Sequence, residues 1–215
     1  MIWQKSDANE EYLLHGTEFI SFDVRLPVGH CYHAPGPNNM LLTTSGANFG
    51  FMRSLWLMIG ILLGMQSILL LVAFGVGSLL LVYPSLHLIL KILGSLYLLW
   101  LAWKVASAAY EKLETDEVPT KPIQLYQGWL LQFLNPKAWL MALGAVVSFS
   151  LAGDRYSTSI VAIAVGILVV NIIAGMIWLG FGTVIGRLLH SKKAWIIFNV
   201  SMGVLTAASV LLIWY

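Results

Sequence analysis

The sequence predicts an all-α integral membrane protein, a helical bundle of two inverted repeats with three helices each. Three observations carry that expectation. Hydrophobic residues make up 59% of the 215-residue chain and charged residues only 10%, with a mean hydropathy of +0.81; a soluble chain carries about 25% charged residues. Apolar runs long enough for a hydrocarbon core, about 20 helical residues for about 30 Å, recur along the chain. Two polar, proline-containing breaks, Pro35-Gly36-Pro37-Asn38-Asn39 and Asn135-Pro136-Lys137, each precede a pair of such runs.

The spans follow in order. No charged residue lies between Arg53 and Lys91, and Tyr83-Pro84-Ser85 interrupts that run, so it reads as a hairpin with spans over about 55–82 and 86–105. Pro84 suits the first turn of the second helix, where a missing N–H costs nothing. Tyr97, Trp100, Trp103 and Lys104 mark the interfacial end of that helix. The polar stretch 106–124, with Pro119 and Pro122, reads as a solvated connection. A third span covers about 126–151 and contains the second break, a fourth about 157–185, and a fifth 194–215.

Lys and Arg accumulate in cytoplasmic loops. The segment before the first span, the 106–124 connection and residues 187–193 share one side and hold Arg53, Lys104, Lys112, Lys121, Arg187, Lys192 and Lys193. The other side holds Arg155. The three basic segments are therefore expected in the cytoplasm and Tyr215 outside.

Composition also excludes function classes. A net charge of +2 is too small to mark a nucleic-acid partner. One cysteine, Cys31, permits no internal disulfide, and without a Cys/His cluster no metal, cofactor or catalytic site is expected. Polar residues in hydrocarbon are functional candidates, and they are few: Gln66, Lys91, Gln132, Asn135, Lys137, Asn171 and the Asn38-Asn39 pair. No Asp or Glu falls within a span, which argues against an intramembrane enzyme. Pro136 removes a helical hydrogen bond and frees a carbonyl about one turn earlier. An amide and an ammonium beside such a break suit a carboxylate-bearing ligand. Lys91 reads as a snorkelling lysine, His87 as an interfacial histidine, and Gly60 and Gly64 as a close helix-packing pair.

The relation between the two breaks points to a carrier. With a helix running into Pro35, the chain divides into two units of three helices. An odd number inverts the second unit, and the broken helices face one another at mid-membrane, the architecture of many secondary transporters.

P-G-P-N-N at 35–39, Y-L-L-W-L-A-W-K at 97–104 and F-L-N-P-K-A at 133–138 together resemble the LysE/RhtB family of amino-acid exporters, in order and spacing over residues 35–215. The resemblance implies a six-helix bacterial inner-membrane protein that exports amino acids, driven by the proton gradient, with no cofactor. Its C-terminus is then periplasmic. The chain is most similar to the cysteine and O-acetylserine exporter branch. Many relatives carry an aspartate shortly after the second glycine of the first hairpin helix; here Gly64 is followed by Met65-Gln66. A neutral site favours small neutral substrates over lysine or arginine. By resemblance, Pro35, Gly36, Pro37, Asn38, Asn39, Asn135, Pro136 and Lys137 are the substrate-binding positions, with Lys137 facing the substrate carboxylate. Coupling ion and oligomeric state stay open, a homo-oligomer among the options.

The family has a transmembrane helix leading into its first motif, whereas residues 1–34 form an atypical polar segment with seven charged residues ahead of the transmembrane domain, 35–215. Our hypothesis is that this first helix is out of frame. Codons permitted for Val24 to Pro35, read one base later, allow F-A-F-P-L-A-T-A-I-T-P, an apolar helix end. In-frame stops or forced charges in the nucleotide sequence would exclude it. The alternative is a genuine cytoplasmic leader on a five-helix protein. A frameshifted chain without its first helix would be a non-transporting remnant of an exporter.

Overall fold

The computed structural model describes residues 36–115 and 122–214, which are helical with short connections and contain no strand. The chain divides into Met1–Pro35 and Gly36–Tyr215. Pro35, the polar segment 1–34 and residues 116–121 of the connection lie outside the described residues. The helices are α1 Pro37–Phe49, α2 Phe51–Ala73, α3 Gly77–Val82, α4 Pro84–Thr115, α5 Leu125–Phe133, α6 Pro136–Phe149, α7 Tyr156–Leu188, α8 Lys192–Ala208 and α9 Leu211–Trp214.

Three helical segments are long and apolar enough to cross a membrane: Phe51–Ala73, Pro84–Ser107 and Gly153–Leu188. The pair α5 and α6, bent by 68° at its break, makes a fourth when counted as one span. The fourth span expected from sequence, 157–185, is realised as α7, and Pro84 opens α4 as anticipated. Other expectations need correction. The first span is not continuous over 55–82: α2 stops at Ala73, and Gly75, at φ +89°, turns the chain into the short α3. That left-handed conformation suits glycine because no Cβ opposes it. The last span is not one helix over 194–215, since α8 ends at Ala208 and a turn leads into α9. At 17 residues α8 is about 26 Å long, short of a hydrocarbon core of about 30 Å. Residues 37–49 carry too few apolar side chains to read as a span, yet form α1, which is buried from Met40 through Ala47.

The two parts of the chain interleave. α1 packs mainly on α7, α2 on α5, and α4 on α8, so these three helices of the first part each have their main partner in the second. Glycines set the distances. A Cβ on Gly60 would collide with the Leu125 carbonyl, and one on Gly64 would stand 2.8 Å from Cβ of Gln132. From the other side, a Cβ on Gly128 would lie 2.6 Å from the Leu57 carbonyl. The small-residue pair at 60 and 64 therefore does what its spacing predicts, letting α2 and α5 backbones touch. Gly182 and Gly186 bring α7 equally close to Thr43 and Ala47 of α1.

Two apolar cores result. One gathers Leu41, Leu57, Leu98, Leu101, Leu131 and Leu179; the other gathers Ile68, Leu69, Ala138, Ala142, Val146 and Ile160. The change from one to the other falls near Gly64 on α2 and at the α5–α6 break. The break thus lies between two dry layers.

Enlarging a packing glycine therefore has a position-dependent cost. We predict that Gly60→Val destabilises the detergent-solubilised protein by about 3 kcal/mol, the upper range for overpacking, because backbone rather than a flexible side chain stands in the way. Gly144→Ala, where a Cβ meets open space, should be neutral or stabilising by up to about 1 kcal/mol. Comparison of the two thermal unfolding midpoints checks this; equal midpoints would remove the packing role.

Candidate functional site

Each break starts a helix. Gly36 is extended (φ −95°, ψ 168°) and its carbonyl accepts from the N–H groups of Asn39 and Met40 at 3.0 and 3.1 Å, with Pro37 in the first turn of α1. Asn135 holds the equivalent place before α6, again with proline next. Its side-chain oxygen accepts from the Lys137 N–H at 3.1 Å, and its carbonyl from the Ala138 N–H at 3.0 Å. Asparagine is a favoured residue there because its oxygen satisfies a helix-end donor.

Two of the carbonyls at the break are also paired. Asn135 N–H donates to the Gln132 carbonyl at 3.1 Å, and the Trp139 indole donates across the break to the Phe133 carbonyl at 2.9 Å. The Leu134 carbonyl lies against Gly94 of α4, where a Cβ would collide with it. A break at membrane depth survives only with such internal satisfaction. α5 is fixed at its other end by a capping box between Gln124 and Gln127 and by the Tyr97 hydroxyl, which donates to the Gln127 carbonyl at 3.0 Å.

The two breaks are joined by a pair of amides. Asn38 Nδ2 donates to Gln132 Oε1 at 3.4 Å, and Gln132 Nε2 donates to Asn38 Oδ1 at 3.0 Å. Gln132 is 2% exposed.

The positions expected from sequence are thus partly assembled. Asn38 reaches the second break, through Gln132 rather than through Asn135 or Lys137. Asn135 is buried and serves its own helix start, Pro136 is buried beside it, and the Lys137 side chain is exposed. Gly36, Pro37 and Asn39 are half-buried around the start of α1, and Pro35 lies outside the described residues. Gln132 is the residue that sequence reasoning named as intramembrane but did not place in the site. Its position one turn before the Asn-Pro break was the available signal. The other intramembrane polar groups are engaged elsewhere. Gln66 donates to the Ala164 carbonyl of α7 at 3.2 Å, Asn171 to the Ile167 carbonyl of its own helix at 2.8 Å, and Lys91 sits over the Trp214 ring at 5.7 Å.

Below the amide pair, α1 carries a row of further polar bonds. Thr43 donates to the Trp178 carbonyl of α7 at 3.3 Å, Ser45 to Ser54 of α2 at 2.8 Å, and Asn48 to Asn199 of α8 at 2.7 Å. Asn199, fully buried, donates in turn to the Trp195 carbonyl at 3.0 Å.

A broken helix pair, α5 and α6, joined through uncharged amides to the start of a buried polar helix, α1, lies between two apolar layers in a bundle with helices long and apolar enough to cross a membrane. The chain matches the LysE type translocator family over residues 31–213 and belongs to it. The family is one of translocators, not of enzymes. Over 154 residues the chain is 31% identical to the cysteine/O-acetylserine efflux protein of Escherichia coli O1:K1 / APEC, covering 72% of this chain and 77% of that protein. The proteins of the same name from Escherichia coli O157:H7 and strain K12 are 32% and 30% identical over the same shares. No solved structure matches the chain.

The amide pair makes a quantitative prediction. In a double-mutant cycle of Asn38→Ala and Gln132→Ala, unfolding free energies should show coupling on the order of 1 kcal/mol, the range measured for interhelical hydrogen bonds in membranes. Additive effects of the two substitutions would mean that the pair contributes no joint stability.

Proposed function

We propose that this protein exports small neutral amino acids or their derivatives, of the cysteine and O-acetylserine kind, across the bacterial inner membrane by alternating access. The observation that carries this reading is the reciprocal Asn38–Gln132 pair, which ties the start of α1 to the broken α5–α6 pair without a formal charge. α1 and α6 both begin at these breaks, so the positive ends of two helix dipoles lie there. Such half-helix ends receive the carboxylate of an amino acid in transporters built this way. In our reading Lys137, on the first turn of α6, attracts that carboxylate, and the oxygens of Asn38 and Gln132 accept from the substrate ammonium once the pair opens. Asn39, Asn135, Pro37 and Pro136 hold the helix starts in place.

A lysine or arginine substrate would bring a second cation into a site with no acidic residue in α1, α2, α5, α6 or α7. Leaving that charge unpaired in low dielectric is costly, which is why the reading specifies neutral cargo. The names of the Escherichia coli relatives support the same class. The basic segments around Arg53 and 187–193 support a cytoplasmic placement of those ends and a periplasmic C-terminus. Proton coupling belongs to the same proposal.

Efflux from cells or proteoliposomes loaded with a panel of labelled amino acids tests the reading. Cysteine, O-acetylserine and serine should leave at least about tenfold faster than lysine, equivalent to roughly 1.4 kcal/mol of discrimination. Gln132→Leu and Lys137→Met should each lower efflux by a similar factor while the protein stays in the membrane. Equal export of lysine would overturn the neutral-substrate reading, and unchanged efflux by Lys137→Met would remove that residue from the site.

A further inference from the structure

We propose that the cavity at the far end of α1 binds the phosphate headgroup of an acidic phospholipid. The cavity, about 530 Å³ and open to the outside, lies where α1 ends, α2 begins and α7 ends, and its lining includes Gly46, Gly50, Met52, Arg53, Thr183 and Arg187. Two arginines thus share one cavity, and among the described residues neither has a carboxylate partner.

The backbone adds to this positive field. α2 starts at Gly50 without a side-chain cap and with no acidic residue in its first turn, so its leading N–H groups favour an anion. At the carbonyl ends of α1 and α7, Gly50 N–H donates to the Gly46 carbonyl at 3.0 Å and Leu189 N–H to the Ile185 carbonyl at 3.1 Å, so the two arginines supply the charge that an anion meets. Gly50 is at φ +79° and a Cβ there would meet nothing within 4 Å, so this corner is open rather than packed.

Two features select a lipid over a free anion or the transported substrate. First, the helices that line the cavity carry, within a few residues of its lining, apolar side chains that the protein leaves uncovered, Met52 and Trp56 on α2 and Phe181, Val184 and Leu188 on α7. A headgroup held by the arginines would lay its acyl chains along that surface. Second, the cavity is no entrance to the amide pair along the α1–α7 seam. Gly182 and Gly186 press the α7 backbone onto Thr43 and Ala47, leaving no side-chain space between the helices. Basic pockets between membrane helices at the interface recognise acidic headgroups through the same combination of charge and apolar wall.

The test is native mass spectrometry of the purified full-length protein in detergent, titrated with phosphatidylglycerol, with phosphatidylcholine, and with inorganic phosphate as competitor. Phosphatidylglycerol should be retained in preference to phosphatidylcholine and should resist phosphate. R53Q/R187Q should weaken phosphatidylglycerol binding at least about tenfold, at about 1 kcal/mol for each basic residue. K192Q/K193Q, removing charge beyond the cavity, should leave it unchanged. If the double glutamine variant fails to fold, R187Q alone at the exposed end of α7 supplies the comparison. Equal retention of both lipids, wild-type binding by the arginine variants, or displacement by inorganic phosphate would each overturn the proposal, the last by marking a free-anion site.

Discussion

α1 is too short to cross a bilayer and too polar to face one. Its 13 residues reach about 20 Å, and its sequence places Asn38, Asn39, Thr43, Thr44, Ser45 and Asn48 within that length. In hydrocarbon each unsatisfied polar group costs several kcal/mol, so the helix can exist only if protein surrounds it and answers its side chains. The bundle does so with four different helices. Gln132 of α5 answers Asn38, the Trp178 carbonyl of α7 answers Thr43, Ser54 of α2 answers Ser45, and Asn199 of α8 answers Asn48. The glycine contacts follow from the same constraint, because short side chains such as serine and threonine reach a neighbour only when backbones approach closely. Gly46, Gly182 and Gly186 provide that approach along α7. Burial of α1 is thus the condition on which the packing of its neighbours depends.

Much of this was legible in the residues, and the parts that were not have identifiable causes. The long apolar runs fixed α7 and most of α2 and α4, since twenty apolar residues without charge permit little else. Pro136 announced the break in the third span, and Pro84 the start of α4. α1 escaped because a buried polar helix has neither the hydropathy of a span nor a one-sided pattern; it is enclosed all round. The turn at Gly75 escaped because apolar residues continue on both sides of it, so hydropathy carries no mark of the reversal. Gln132 was visible as an intramembrane amide, but its partner depends on a contact 94 residues away along the chain. Spacing along one helix cannot reveal which face of the opposite unit it meets. Asn135 was visible beside Pro136, but its bond as a helix cap, accepting from the Lys137 N–H, depends on the backbone direction at the break, which spacing does not give.

The choice of an amide pair over an ion pair where α1 meets the broken α5–α6 pair has a mechanical consequence. A buried ion pair cannot open without exposing two charges to low dielectric, a penalty of several kcal/mol for each. Two neutral amides hold the same helices together with hydrogen bonds worth on average about 0.6 kcal/mol in a membrane, and at most about 1.7. Such a joint is strong enough to define one arrangement of the helices and weak enough to be exchanged. In the proposed mechanism a zwitterionic substrate supplies what the opening amides lose, since its ammonium can donate to the freed oxygens and its carboxylate can accept from the freed N–H groups. An inert apolar solute supplies neither and would leave both amides unpaired between the two dry cores. Under that proposal, discrimination for amino acids would arise from the unpaired state itself, because the helices would separate at low cost only when something with both a donor and an acceptor took the place of the missing partner.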